Sequence, residues 1–265
     1  MISIFAKPPF LRTTETGTHV VRISSRSRGE EIADYIGAEY NTERTDVNIY
    51  VKPRQLDALK DGDYVDILDD MNLIPMLKKR PGIKVITMSQ IQHEYLQSEL
   101  KNDLHLIHHH HINIEGVRNT KHKLIGGFIG HSSHAKKLLA EIQAVLDVEI
   151  LPIFHYTTRQ DSIDWFQKID FLIAWNSEQY EHYPFSHPTK LINAAAFGIP
   201  SISQPIDGYK EFNGYYLPIT GLESLTEAVE ELKDPTYYKV WSDKVFEEAQ
   251  KYYIGRIAEK YYDLR

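Results

Sequence analysis

Three stretches of the chain place polar and charged side chains where they could bind or transform a ligand. The longest is HPTKLINAAAFGIPSISQPIDGYKEF, residues 187–212. Pro188 precedes a short helix of small residues, Gly198 stops it, and a strand at 200–203 follows at once. Lys190 and Asn193 lie three apart, so one helix face presents a cation and an amide together. Three alanines, 194–196, let that helix lie close to a neighbouring backbone or ligand. The loop Asp207–Glu211 leaves the carboxyl end of the next strand and carries Tyr209 and Glu211.

The second stretch is IGGFIGHSSHAKK, residues 125–137, where an apolar strand runs into Gly130. His131, Ser132 and Ser133 form a small polar loop, and Lys136 stands in the first turn of the helix that follows. Glycine permits close backbone approach, and a helix N-terminus favours phosphate. The dinucleotide fingerprint Gly-x-Gly-x-x-Gly is absent, and a plain strand-to-helix connection stays open. The third stretch is VDILDD, 65–70, in which Asp69 or Asp70 could act as general base or position an acceptor. Capping of the next helix by the same carboxylates is equally open. Beside these lies His108–His111 in the strand-like run LHLIHHHHINI. In a strand, alternate histidines face opposite sides, which leaves two per face; further ligands for a metal are not evident, so no metal is expected. One of the run, His110, is taken as a substrate contact because it precedes the joint between the halves.

The elements that must position these groups alternate short apolar strands with amphipathic helices, the rhythm of parallel sheets covered by helices. In the first half, strands are expected at 2–6, 47–51, 64–67, 84–88 and 104–108, with helices at 29–36, 53–60, 71–79 and 89–100. A polar joint, EGVRNTKHK at 115–123, precedes a second series. Its strands are expected at 124–129, 148–151, 171–174, 200–203 and 215–218, and its helices at 135–146, 162–168, 189–197 and 222–233. A last helix, roughly 236–263, carries many tyrosines and offers a bend near Gly255. The division expected is a first Rossmann-like domain at 1–117, a second at 118–250, and a C-terminal helix, 251–265, crossing back to the first. One continuous sheet is the competing picture.

Composition bounds the rest. The chain of 265 residues is 42% hydrophobic and 25% charged, and it holds no cysteine, which excludes disulfides, thiolate metal sites and a thiol nucleophile. No run reaches the ~18–20 apolar residues of a membrane span, and the first residues lack the pattern of a signal peptide, so a cytoplasmic protein is expected. A net charge of −7 disfavours bulk electrostatic binding to nucleic acid, although RISSRSR at 22–28 and Lys78, Lys79, Arg80 and Lys84 form basic clusters. Solvated faces are the plainer reading of both clusters.

Residues 187–212 resemble the donor-site signature of GT-B glycosyltransferases, in which a small-residue helix and a Gly-x-Pro strand precede a loop ending in glutamate. Gly130 and Lys136 match the family's phosphate loop in spacing, with His131 where an arginine usually stands. The resemblance covers roughly 124–235 well and the first half in layout. It implies an α/β fold of GT-B type, two Rossmann-like domains facing a central cleft, and transfer of a sugar from a nucleoside-diphosphate sugar to an acceptor hydroxyl. It further implies that Lys190 and Lys136 neutralise the donor diphosphate, so that no cofactor is required, and that Glu211 lies near the ribose or the sugar. Gly130, His131, Ser132, Asn193 and Tyr209 complete the implied substrate-binding set. Asn193 and Phe185 stand where many retaining members carry paired glutamates, which leaves open whether the anomeric configuration is retained. His19, in Gly17-Thr18-His19 after the first strand, falls where members have an acceptor-side loop, and joins Asp69 and Asp70 as a catalytic candidate. Three functions follow: a transferase acting on a glycan or small molecule, a bacteriophage-type enzyme glycosylating a hydroxymethylated base in DNA, and a non-catalytic binding protein of the same fold.

Overall fold

Apolar runs of two to five residues build two separate parallel sheets in the computed structural model, which describes residues 1–14, 17–21, 23–129, 133–153, 158–175 and 187–265. Strand β1 (Ile2–Ala6) leads into an antiparallel hairpin, β2 (Phe10–Thr14) and β3 (Gly17–Val21), and then helix α1 (Glu31–Ile36). There follow β4 (Glu39–Tyr40), β5 (Val47–Val51), β6 (Tyr64–Asp66), α2 (Ile74–Leu77), β7 (Lys84–Thr87), α3 (Gln90–Glu99) and β8 (Leu104–Leu106). The six strands other than the hairpin form one sheet in the order 4-1-5-6-7-8, every pair parallel. Both β1 and β5 are buried along almost their whole length, as strands covered on both faces must be.

The second sheet comprises β9 (Gly126–Ile129), β10 (Ile150–Ile153), β11 (Phe171–Ala174), β12 (Ser201–Ser203) and β13 (Leu217–Pro218), ordered 10-9-11-12-13 and again parallel. Its helices are α4 (Ser133–Val145), α5 (Arg159–Phe166), α6 (Thr189–Ala196), α7 (Leu222–Leu232) and α8 (Pro235–Ala249). Gly126 and Gly127 are where β9 is overlaid by large rings. A Cβ on Gly127 would stand 2.3 Å from Ile169 and 2.8 Å from Trp165. Among the described residues no helix is long and apolar enough to cross a membrane.

The final helix is two. Helix α8 packs Val245 and Ala249 into the core of the second sheet. A 3₁₀ turn, Gln250–Tyr252, and an extended Tyr253 then redirect the chain into α9 (Ile254–Tyr262). Ile254, Ile257, Tyr261 and Leu264 join Ile2, Ile4 and Ile49 in the core of the first sheet. The break therefore falls before Gly255, which serves close approach instead: its Cβ would lie 2.7 Å from the Tyr35 hydroxyl.

One other expectation is corrected. Residues 53–60 form a turn, not a helix. Leu56 and Leu59 are buried, and their carbonyls accept hydrogen bonds from the Arg80 guanidinium, which replaces the helical ladder. The polar joint at 115–123 is mostly exposed and is anchored at one buried residue. Asn119 is buried, receiving the Lys121 N–H and donating to the Ile169 carbonyl, while its own backbone N–H meets the Phe197 carbonyl.

The RISSRSR segment is the largest surprise. Residues Ser25–Glu30 form a π-helical turn whose Arg28 is wholly buried. Its Nε donates to Asp66 Oδ2 at 2.7 Å, its Nη1 donates to the His108 carbonyl at 2.7 Å, and it lies 5.7 Å from the Tyr261 ring centre. Arg26 faces Glu31 at 3.6 Å. Residues 23–28 are thus core and cavity wall, not an exposed basic face, and Arg22 lies outside the described residues. Of the second cluster, Lys78 pairs with Glu99, Arg80 with Asp61, and Lys84 with the Tyr64 hydroxyl and ring, while Lys79 is exposed.

An isolated charge left in such a site has no water to turn to. Arg28→Met should therefore destabilise the protein by about 3–5 kcal/mol in urea unfolding, whereas Arg28→Met with Asp66→Leu should recover most of the loss. A single variant costing under about 1 kcal/mol would show that the pair does not organise this region.

Candidate functional site

In the second sheet, β9 is flanked by β10 on one side and β11 on the other, so the connections leaving β9 and β10 run in opposite directions. This is a topological switch point, which opens a crevice outside the carboxyl ends of the strands. A cavity of about 250 Å³ occupies it. Ile129 and Ile153 at the strand ends, with Trp165 and Phe166 of α5, make an apolar floor, and Lys190 and Asn193 of α6 stand beside it. The opposite wall comes from the first half: Arg26, Ser27, Glu31, His109 and His110.

Lys190 sits in the first turn of α6, where Pro188 precedes the helix and no side chain caps it. Burial lowers its pKa, and no carboxylate among the described residues pairs with it. Asn193 accepts the Ile112 N–H at 3.0 Å through Oδ1, so it pins the joint between the halves while facing the cavity. Arg159, also on this wall, is held by the Ile112 carbonyl and a two-pronged contact with Glu115.

A second space of about 400 Å³ adjoins the first, lined by Ser24, Lys52, Asp69, His109, His187 and Thr189. His109 and Thr189 border both spaces. Asp69 is bonded to Lys52 and is largely exposed. Asp70 does not face this space. Its Oδ1 accepts the Asn72 N–H at 3.1 Å, the capping alternative.

The histidine run leaves the sheet after Leu106, so strand alternation does not apply to it. His108 Nε2 lies 3.3 Å from Glu211 Oε2. His109 Nδ1 meets the His110 carbonyl at 2.9 Å and its Nε2 meets Ser27 Oγ at 3.2 Å. His110 is buried, with Nε2 2.6 Å from the Ser27 carbonyl and 3.5 Å from Glu31 Oε2. His111 is buried with neither ring nitrogen hydrogen-bonded. Burial holds His109 well below its ordinary value, helped by the charges of His110, Arg28 and His187.

Glu211 belongs to a 3₁₀ segment after β12 but reaches the first half. Its Oε2 accepts the Gln90 N–H at 3.1 Å, at the start of α3, and its Oε1 lies 3.6 Å from His187. Burial alone would raise its pKa, yet His108, His187 and the Gln90 N–H together hold it lowered. The residue anticipated as a ribose or sugar contact is thus engaged as a bridge between the halves. Tyr209 packs into the core against Tyr216, away from both spaces. Lys136 is exposed on α4 and lines neither space. His19 lies on β3, opposite Arg12, in a hairpin rather than a loop. Gly130, His131, Ser132 and Phe185 lie outside the described residues.

The structure therefore brings Lys190, Asn193 and His110 to one cavity and Asp69 to its neighbour, and it adds Arg26, Ser27, Glu31, Trp165 and His187. One signal was available for the buried Arg28–Asp66 pair, which lines neither space. Asp66 interrupts the apolar run YVDIL, and a carboxylate inside a strand requires a buried partner.

No protein-family model and no curated protein matches the sequence. Solved structures match in three dimensions. A glycosyltransferase from Rickettsia africae ESF-5 superimposes with a TM-score of 0.64 at 12% identity, over 99% of this chain and 97% of that one. WaaG, a glycosyltransferase involved in lipopolysaccharide biosynthesis, gives 0.61 at 10% identity, over 100% and 99%. The DNA-modifying enzyme β-glucosyltransferase gives 0.60 at 10% identity, over 99% and 98%. The chain spans about half the length of other matches, 56% of a GtfA/B chain and 54% of TarM. At these identities the likeness shows the fold, and the fold is GT-B, two Rossmann-like domains facing a central cleft.

Burial pushes His111 down to about 4, and also His187, where Glu211 pulls the other way. In the unfolded chain both would titrate near the ordinary value of about 6.5. Between those values the unfolded state binds more protons, so stability must fall as pH falls from about 6.5 towards 4, by roughly 3 kcal/mol per histidine. Urea unfolding across that range should show this slope, and His111→Asn and His187→Asn should each flatten it.

Proposed function

We propose that this GT-B chain transfers a sugar from a nucleoside-diphosphate sugar to an acceptor hydroxyl, with the donor in the 250 Å³ cavity and the acceptor in the adjoining 400 Å³ cleft. Lys190 carries the reading. A desolvated lysine without a carboxylate partner among the described residues, on the uncapped first turn of a helix, is costly until an anion arrives. A diphosphate supplies that anion, and the first N–H groups of α6 supply donors for its oxygens. The structural neighbours add to this. TarM was solved with UDP and an α-GlcNAc-glycerol, HepE with UDP and glucose, and the β-glucosyltransferase with uridine diphosphoglucose.

In the reaction the acceptor oxygen attacks the anomeric carbon, the bond to the diphosphate oxygen breaks, and the acceptor proton leaves to a base. Lys190 and the α6 terminus stabilise the charge that grows on the leaving diphosphate, so the reading requires no metal ion. The apolar floor of Trp165, Phe166, Ile129 and Ile153 limits water, which favours transfer over hydrolysis. Two groups face the acceptor. Asp69 lies on the acceptor side, and His109 borders both spaces. Donation from His109 Nδ1 to the His110 carbonyl leaves its Nε2 as the basic nitrogen. Residues 1–117 with α9 would form the acceptor unit and 118–250 the donor unit.

The inward placement of Arg26 and Arg28 and the net charge of −7 favour a glycan or small-molecule acceptor over DNA. Salt-dependent binding to duplex DNA would reverse that preference, and absence of both transfer and donor hydrolysis would mark a binding protein.

Calorimetry with UDP, GDP and ADP should detect binding of at least one, weakened by about 1–3 kcal/mol in Lys190→Ala. No binding to the wild type at millimolar concentration would end the donor reading. Of Asp69→Asn and His109→Asn, at least one should lower the transfer rate by about 10²-fold or more with nucleotide affinity kept. Unchanged rates in both would remove them as bases.

A further inference from the structure

The donor cavity carries opposite charges on opposite walls. Lys190 stands on the second half, while the first half presents Glu31, whose side chain is 14% exposed. The two form no ion pair with each other. Glu31 Oε1 lies 3.6 Å from Arg26 Nε and Oε2 lies 3.5 Å from His110 Nε2, too far for good hydrogen bonds. Oε2 is buried without a hydrogen-bond partner, and so is Arg26 Nε. His110 Nε2 is already committed to the Ser27 carbonyl at 2.6 Å. An ionised carboxylate offers about four acceptor sites, and one left in a cleft with only distant cations is expensive unless a ligand fills them. Helix placement does not account for it, because a carboxylate at the start of α1 would be equally well served by water.

A nucleoside-diphosphate sugar has the matching polarity. Its diphosphate is drawn to Lys190 and repelled by Glu31, which orients the remaining, hydroxyl-bearing part towards the first half. Resting on the donor reading above, we propose that Glu31 is the residue that selects the donor sugar, accepting hydrogen bonds from its hydroxyl groups. His109 and Thr189, shared by both spaces, then lie where the sugar would meet the acceptor. Glu31 makes no contact with the diphosphate in this arrangement, so its contribution should appear only when a sugar is attached.

That separation defines the test. Calorimetry would compare UDP, GDP and ADP with their glucose conjugates, on the wild type and on Glu31→Gln, which keeps the shape of the side chain. The result expected is unchanged affinity for the free diphosphate and about a tenfold or greater loss for the conjugate, the scale of one charge-assisted hydrogen bond. On the wild type, conjugates of deoxyglucose should lose affinity in the same way for at least one missing hydroxyl. That arm holds even if the variant folds poorly. Equal loss for the free diphosphate and the conjugate, or no loss for either with every deoxy donor bound like glucose, would overturn the role of Glu31 while leaving the donor site standing. Failure of the wild type to bind any of the six would overturn the donor reading and this inference with it.

Discussion

A guanidinium with no access to water lies beneath the carboxyl edge of the first sheet, and four pieces of chain are arranged around it. Arg28 reaches Asp66 at the end of β6, the carbonyl of His108 beyond β8, and the ring of Tyr261 in α9, all from a π-helical turn that leads into α1. Taking both charges out of water is costly, and their attraction repays it only while the geometry holds. Burial pushes Asp66 upward, and the Arg28 charge with its hydrogen bond pulls it back. The pair thus acts as a registry device. It draws the chain after β8 inward, and His109 and His110 then face the cavity instead of continuing the strand.

The seam between the halves has a different character. It is stitched by polar contacts: Glu211 to the Gln90 N–H, Asn193 to the Ile112 N–H, Asn113 to the Ala196 carbonyl, the His111 N–H to the Tyr252 carbonyl, and the forked Arg159–Glu115 pair. A neutral hydrogen bond is worth about 0.5–1.5 kcal/mol net and one to a charged group about 1.5–3 kcal/mol. Helix α9 is the apolar exception, because it buries Ile254, Ile257 and Tyr261 on the first sheet while its predecessor α8 stays on the second. The covalent link through Gln250–Tyr253 therefore ties the two halves together, with Tyr252 packed against His108 and Phe212.

Charge in the cleft is divided between the halves. The second half offers a cation on a helix start, and the first offers a carboxylate and His109 and His111, whose pKa values burial lowers. Neutral imidazoles contribute donors and acceptors without repelling a cation or trapping a diphosphate. Two opposed charges set far enough apart not to pair form a site with a direction, which a ligand of mixed polarity can satisfy and a simple anion cannot.

The strands were legible in the sequence, several to the residue: Ile2–Ala6, Val47–Val51 and Phe171–Ala174 are short apolar runs bounded by polar residues, and burial on both faces demands that composition locally. The α6 segment was legible for the same reason, since Pro188, the alanines and Gly198 act within one helix and its ends. What the sequence could not determine is which charges meet across the fold. Arg28 and Asp66 are 38 residues apart and Glu211 and Gln90 are 121 apart, and no local spacing joins them. Arg28, in a run that reads as an exposed basic face, becomes core because its partners arrive from three other elements. Glu211, at a loop position suited to a ligand, becomes a bridge because the other half stands within reach. Local structure is governed by neighbours in the chain, whereas the ionisation and exposure of a side chain are governed by neighbours in space.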